Sequence, residues 1–371
     1  MWRAKMLEKT YKFRLYPTKK QWEKLDWTVE VCRHLYNSCL IDRKNFYQRN
    51  GIGLSRVSQQ EILRRDKDRV EFLHDVYSQV LQEVLFRLDK AYQNFFRRIK
   101  LKKEGRWGRK VGYPRLKGQN RYDSITYPQY GGFQILNGGK KLKLSKIGAI
   151  RMRMHRQIEG QIKQCTIRKD VDRWYACFSV QYNPLPQEIP DTETGMDVGL
   201  TVLGTLSNGE KIENPKYLKQ AENKLKKLQR SVSKKKKGSK NRNKARIKIA
   251  RQHRKVRNQR SDGHHKKSRK LVDAFGLIKV ENLHILNMVK NHYLAKAILD
   301  AAWGMLFLYI AYKAAEAGSR FEKVDPKGTT IDCSRCHKPV PKTLAIRVHR
   351  CPFCGMNMDR DQNAAINILQ R

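Results

Sequence analysis

The sequence predicts a chain of mixed α/β class: a small β domain interrupted by a helical block, then an α/β part that carries a four-cysteine zinc ribbon. Three observations predict it. A basic alternating segment at Lys9–Pro17 is separated from further alternating segments after Phe133 by two stretches of helical periodicity. Two apolar runs that bear an acid, Thr194–Leu200 around Asp197 and Leu277–Glu281 ending on Glu281, flank a long basic stretch, and two Cys-x-x-Cys pairs lie near the C-terminus.

Composition narrows the function classes. The chain has 371 residues with 80 Lys+Arg against 34 Asp+Glu, a formal charge of +46. Such a field repels itself and calls for a polyanion, nucleic acid or an anionic membrane surface, and it excludes most ordinary metabolic enzymes. A membrane span is not expected, because the longest uncharged apolar stretch, Ala301–Tyr312, has 12 residues where about 20 are needed. The N-terminal MWRAKMLEKTYKFR lacks the continuous apolar region of a secretory signal. Disorder is the other reading of so basic a chain, but 39% hydrophobic residues with 16 Tyr, 12 Phe and 6 Trp can build a core. Two or three folded domains are expected from the length. Cys32, Cys39, Cys165 and Cys177 are scattered singly while four others cluster, a pattern of metal ligation in a reducing compartment.

The elements follow in order. Tyr11, Phe13 and Leu15 alternate with basic residues up to Pro17, predicting a half-buried strand. Trp22, Leu25, Val29, Cys32, Tyr36, Cys39 and Leu40 recur at three- and four-residue steps, predicting a helix over 21–46. In a second helix Leu81, Val84, Leu85, Leu88, Tyr92, Phe95, Phe96 and Ile99 form a stripe expected in the core. Arg87, Lys90, Arg97 and Arg98 lie off it as a candidate nucleic-acid face. The Gly-rich basic segment 101–119, with single aromatics, reads as a solvated linker or as a loop against a phosphate backbone. Short strands are expected from Phe133 to Tyr182, the best being 164–168 and 174–182 around a turn at 169–172. Three prolines in 183–190 mark a boundary. Residues 219–270 hold 23 Lys+Arg and only Glu222 and Asp262 as acids, and weak periodicity predicts two basic helices separated by Lys234-Lys235-Lys236-Lys237-Gly238-Ser239. A disordered polybasic segment is the alternative.

Chemistry points to two places. Cys333, Cys336, Cys351 and Cys354 form two Cys-x-x-Cys knuckles 14 residues apart, and four thiolates close a tetrahedral zinc site with no position open for water. Paired disulfides are the alternative, but nothing indicates secretion. His337 and His349 beside the knuckles are read as surface or nucleic-acid contacts. Asp197 lies in an apolar strand between Gly195 and Gly199, and Glu281 ends the strand-like run 277–281. Asp359, three residues before Gln362, suits a helix N-cap. Asp361 shares a face with Ala365 and Ile368, so its carboxylate points to the packed side, where a hard cation such as Mg²⁺ is needed.

The ordered set G-M-D-V-G-L, V-E-N-L and D-R-D-Q-N-A-A-I-N-I, with a four-cysteine ribbon before the last, resembles the RuvC-like nuclease motifs of the TnpB family. These are transposon-encoded RNA-guided DNA endonucleases related to the type V CRISPR effectors. R-L-Y-P-T, A-Y-Q-N-F-F, E-N-P-K-Y, K-K-K-K-G-S and L-A-K-A-I-L-D-A-A-W-G extend the likeness over essentially the whole chain. The resemblance implies Asp197, Glu281 and Asp361 as catalytic carboxylates and Mg²⁺ ligands, and the four cysteines as ligands of one structural Zn²⁺. It implies an RNase H-like RuvC nuclease domain at 191–371 with the ribbon, 326–358, inserted in it. A β-barrel wedge domain at 1–17 and 101–190 would hold a helical recognition insertion at 18–100. The chain departs from the family at Asp262-Gly-His-His-Lys266, where Gly263 and His264 are expected to loosen a helix, and in its end at Arg371.

The implied mechanism is two-metal phosphodiester hydrolysis in which Asp197 bridges two Mg²⁺ about 3.5–4 Å apart. By the same resemblance a guide RNA from the transposon end pairs with double-stranded target DNA, and the protein reads a short flanking motif. Gln82 on the helix at 78–100 is the first candidate reader, and Lys234, Lys235, Lys236 and Lys237 are further candidate contacts. The expected location is the prokaryotic cytoplasm, with the nucleoid. Rival readings are a guided DNA binder that no longer cuts, a basic RNA-binding structural protein, which would leave the acids unexplained, and an accessory of transposition.

Overall fold

The structure is a computed structural model that describes residues 6–119, 121–129, 131–184, 187–343 and 345–371. The chain divides into two compact units, Met1–Asn183 and Pro184–Arg371.

In the first unit β1 (Leu7–Tyr16) buries Tyr11, Phe13 and Leu15, exposes Lys12 and leaves Arg14 half-buried between them, as period-two alternation dictates. Thr18 then opens α1 (Lys19–Asn50) through a capping box with Gln21, and Gly51 closes it at φ +68°. After α2 (Arg56–Arg69) and a short 3-10 turn, α3 (Ser78–Lys103) buries Val80, Leu81, Val84, Leu85, Leu88 and Tyr92. The expected stripe stops there: Phe96 is 59% exposed, because the last turns of α3 pack on the loop behind them, where Tyr113 meets Tyr92 and Phe95.

Strands β2 (Ser124–Tyr127), β3 (Phe133–Leu136), β4 (Lys141–Leu144), β5 (Gly148–Arg153), β6 (Gln161–Asp170) and β7 (Arg173–Tyr182) complete an antiparallel sheet. Its order is β2-β6-β7-β1-β5-β4-β3. β2, four residues long, is too short to announce itself by periodicity. The β6–β7 hairpin turns on Val171 and Asp172 alone, with Val171 at φ +60°, so both strands run longer than their alternation suggests.

In the second unit β8 (Glu193–Asp197), β9 (Val202–Leu206), β10 (Lys211–Glu213), β11 (Leu277–Glu281) and β12 (Arg320–Val324) form a sheet of order β10-β9-β8-β11-β12. β8, β11 and β12 are parallel, and β9 and β10 antiparallel. Between β10 and β11 lie α4 (Tyr217–Ser233) and α5 (Lys240–Ala274), the two basic helices, with Lys234–Ser239 between them. α5 runs unbroken through Gly263 and His264, against the expected loosening. Both are buried, Tyr217 passes so close that a Cβ on Gly263 would lie 2.7 Å from its hydroxyl, and His264 Nε2 bonds the Ala301 carbonyl at 3.0 Å.

Next come α6 (Ile285–Met288), α7 (His292–Ala301) and α8 (Trp303–Ala317). Residues His292–Ala317 are long and apolar enough to cross a membrane by length and composition. Left-handed Ala302 divides them, and Ile298, Ala301, Trp303, Leu306, Phe307 and Ile310 pack with Met196, Ile278 and Val280 in the core. The chain finishes with β13 (Val348–Arg350), β14 (Asn357–Asp359) and α9 (Arg360–Gln370), which lies on β8.

Candidate functional site

Asp197 is the last residue of β8 and Glu281 the last of β11. The parallel register pairs Met196 with Val280, so the next step sets the two carboxylates side by side at the carboxyl ends of neighbouring strands. Asp361 arrives from α9. Asp359 caps that helix by accepting from the amides of Asp361 (2.8 Å) and Gln362 (3.2 Å), and Ala365 and Ile368 are fully buried, so the face inferred from their spacing is the packed one.

The charges of the other two acids act on Asp197. Burial, then the charges of Glu281 and Asp361, push Asp197 up to about 8, against the pull of Arg360. Burial also raises Glu281, opposed by a hydrogen bond from Thr329 and by Arg371. Asp361 is held by Arg360, whose Nε and Nη2 donate to Oδ1 at 3.0 and 2.7 Å, while Arg347 stands 3.7 Å from Oδ2. Asp359, although burial works against it, is kept below the usual carboxylate range by Lys211 and the backbone of α9. Asp197, pushed toward the neutral form by burial and by its two neighbours, forms with them a hard oxygen donor set, and a divalent cation would relieve that repulsion.

The cysteines form the second site. Their four Sγ atoms lie within 4.8 Å of one another, with Cys333–Cys354 and Cys336–Cys351 each at 3.6 Å. Zn–S bonds of about 2.3 Å give tetrahedral edges of about 3.8 Å, so the set fits zinc. The two knuckles are built alike. The amide of His337 bonds the Cys333 carbonyl and that of Gly355 the Cys351 carbonyl, and both residues are left-handed, at φ +58° and +69°. β13 and β14 pair beside the second knuckle. His337 is exposed. His349 departs from its expected surface role: it is 0% exposed and its Nδ1 accepts from Lys342, because its strand turns it inward.

The candidate nucleic-acid residues divide. Gln82, Lys90 and Arg97 are exposed on α3, Arg98 stacks over Trp107 at 5.6 Å, and Lys234, Lys236 and Lys237 are exposed in the α4–α5 turn with Lys235 half-buried. Arg87 is corrected. It points inward, donating from Nη1 to the Ser124 carbonyl (2.7 Å) and from Nη2 to Thr126 (2.6 Å), because β2 passes beneath it and needs donors.

Sequence reasoning passed over several residues around these sites. Asp300, 8% exposed, caps α4 through the amides of Leu218 and Lys219 and pairs with Arg260 at 2.9 Å. Thr329, Asn363 and Asn367 are also buried. The two asparagines could have been noticed as polar residues one turn apart on an otherwise apolar face; Thr329 gave no signal.

Known proteins match this arrangement along its length. A family model described as "Probable transposase" (OrfB of IS605) matches residues 175–292, a Cas12f1-like TNB domain 303–368, and a helix-turn-helix domain 6–51, the segment that forms β1 and α1 here. A Streptomyces pristinaespiralis protein provisionally named an RNA-guided DNA endonuclease is 33% identical over 373 residues, covering 98% of this chain and 89% of its own. The similarly named InsQ of Escherichia coli K12 is 28% identical over 378 residues, covering 97% and 91%. In fold the chain resembles Cas12f1 from a complex with sgRNA and target DNA (TM-score 0.58, 13% identity, 98% of both chains). It also resembles the mini-RNA-guided endonuclease Cas_phi3 (TM-score 0.52, 10% identity, 98% and 92%). The chain belongs to the TnpB family, the OrfB proteins of IS605-type transposons.

Proposed function

We propose that the protein is an RNA-guided DNA endonuclease of a transposon, which cuts target DNA beside a short flanking motif. The observation that carries this reading is the meeting of Asp197, Glu281 and Asp361 at the carboxyl edge of a mixed sheet, with Asp197 raised by burial and by its two neighbours. The sheet order β10-β9-β8-β11-β12, antiparallel then parallel, supports an RNase H-like RuvC domain over 191–371 with the ribbon at 326–358. The antiparallel sheet of the first unit supports a wedge at 1–17 and 101–190, and α1–α3 the recognition insertion at 18–100.

Asp197, Glu281 and Asp361 would hold two Mg²⁺, which supply an activated water and charge for the leaving oxygen when bound. Thr329 orients Glu281, and Arg360 neutralises part of the cluster and holds Asp361 in place. The four thiolates would hold one structural Zn²⁺. In one unit the exposed lysines of the α4–α5 turn, and in the other Lys90 and Arg97, are the proposed contacts of guide RNA and target strands, and Gln82, exposed on α3, is the proposed reader of the flanking duplex.

The test is to purify the protein with its copurifying RNA, sequence that RNA, and challenge the complex and its Asp197→Ala variant with a plasmid library randomised beside a guide-matched target. Motif-dependent cutting by the parent alone is expected. Equal cutting by both would overturn the role of Asp197, and no bound RNA would overturn the guided reading.

A further inference from the structure

The ribbon and the carboxylates are joined by a set of buried polar side chains. Asn363 is fully buried, two residues beyond Asp361 on α9. Its Oδ1 accepts from the Ser334 amide at 2.9 Å and its Nδ2 donates to the Asp332 carbonyl at 2.8 Å, so one amide group brackets the zinc-ligand candidate Cys333 on both sides. One turn on, Asn367 Nδ2 donates to the Asp332 carbonyl at 2.7 Å and to the Thr329 carbonyl at 2.8 Å. Gln370 adds a bond to the Ser334 carbonyl at 3.2 Å. Thr329, 1% exposed, turns its hydroxyl to Glu281 Oε1. Arg360, which grips Asp361, also donates to the Ile346 carbonyl at 3.2 Å between the two knuckles.

We infer that Asn363, Asn367 and Thr329 are positioning residues that clasp the cysteine ribbon to α9 and β11, so that the geometry of Glu281 and Asp361 depends on the folded zinc knuckle. The inference rests on the nuclease reading above. Its physical basis is that a carboxamide both donates and accepts in fixed geometry, and a buried polar group cannot exchange a lost partner for water. A knuckle that loosens carries away the Asp332 carbonyl and Ser334 amide, Asn363 must follow or stand unsatisfied, and Asp361 lies on the same helical turn. Through the Asn367–Thr329 bond the same displacement reaches Glu281.

The experiment uses the full chain with its copurified RNA, with Thr329→Val, Thr329→Ser, Asn363→Asp and Asp197→Ala beside the parent. Three quantities are read: zinc per chain by elemental analysis, Mn²⁺ binding by electron paramagnetic resonance, and cleavage against Mn²⁺ concentration. Thr329→Val should keep its zinc yet bind Mn²⁺ about 10- to 100-fold more weakly, with a matching rise in the Mn²⁺ needed for cutting. Thr329→Ser, which restores the hydroxyl, should return both to near the parent. Asn363→Asp keeps the acceptor and loses the donor, and should weaken Mn²⁺ binding in the same way, with or without loss of zinc; zinc release with parent-like Mn²⁺ binding would overturn the inference. Parent-like Mn²⁺ binding and cutting in Thr329→Val and Asn363→Asp, both with full zinc, would overturn the inference. If Asp197→Ala also leaves Mn²⁺ binding unchanged, the nuclease reading fails instead, so the two failures are separable.

Discussion

Gly195 of β8 lies flat against Ala365 of α9: a Cβ built on Gly195 would fall 2.0 Å from the Ala365 carbonyl oxygen. Strand and helix therefore touch backbone to backbone, two residues before Asp197 and four after Asp361. Gly195→Ala must push α9 away, since neither backbone can yield as a flexible side-chain tip would. Overpacking of this kind costs about 1–3 kcal/mol, so a fall in melting temperature of several degrees by calorimetry is expected, together with weaker cutting. An unchanged melting temperature would show that α9 is not seated on β8.

Asp197→Asn, Glu281→Gln and Asp361→Asn keep shape and remove charge. Each should leave RNA and target binding intact in a gel-shift assay while cutting falls by more than about 100-fold, beyond the effect of an outer-shell change. Asp197→Asn should also raise the melting temperature without divalent ions, because burial and two like charges disfavour the carboxylate there.

Asp197 gives a pH dependence whose sign can be worked out. Its carboxyl is raised from the ordinary range to about 8 in the fold, so between about pH 4 and pH 8 the folded state binds more protons than the unfolded one. Stability without divalent ions should fall as pH rises through that window. A cation must displace the proton, so Mg²⁺ affinity should climb up to about tenfold per unit from pH 6 and level off near pH 8. Thermal-shift titrations with Mg²⁺ at pH 6.5 and 8.5 check both; equal stabilisation at the two values would contradict them.

The thiolate site predicts one zinc per chain by elemental analysis. Cys351→Ser should lower the zinc content and make the ribbon the first segment cut by trypsin, since the knuckles otherwise depend on a few backbone bonds.

Asp300→Ala tests the anchor of the basic hairpin. It leaves Arg260 and two helix-end amides without their carboxylate, at a cost of about 3–5 kcal/mol. Hydrogen exchange should then report faster opening at the start of α4 than elsewhere in the unit. Uniform protection along α4 would mean that the hairpin is held by its other contacts.

The residues differ in how far their roles were legible beforehand. The buried face of α3 up to Leu88 follows from the spacing of its leucines and valines. The two Cys-x-x-Cys knuckles follow from spacing alone, because each is a local turn that brings two thiolates together. Asp197, Glu281 and Asp361 gain meaning from the order of their motifs, since any one of them could be a cap or a turn former. Arg87 and Lys90 look alike on the flank of α3, yet Arg87 serves β2, 37 residues away, and Lys90 faces solvent. Gly263 reads as a weak point in α5 and proves to be where Tyr217 passes close.

Local periodicity and spacing thus determined α1, α3, the two basic helices and α9, several of the strands, the thiolate site and the candidate acids, because those depend on what each residue does with its near neighbours. Tertiary structure alone decided which buried polar group meets which: Thr329 with Glu281, Asn363 around Cys333, Asp300 beneath α4. Such pairings span tens of residues and follow from where the sheet brings its ends together, which no window of sequence encodes.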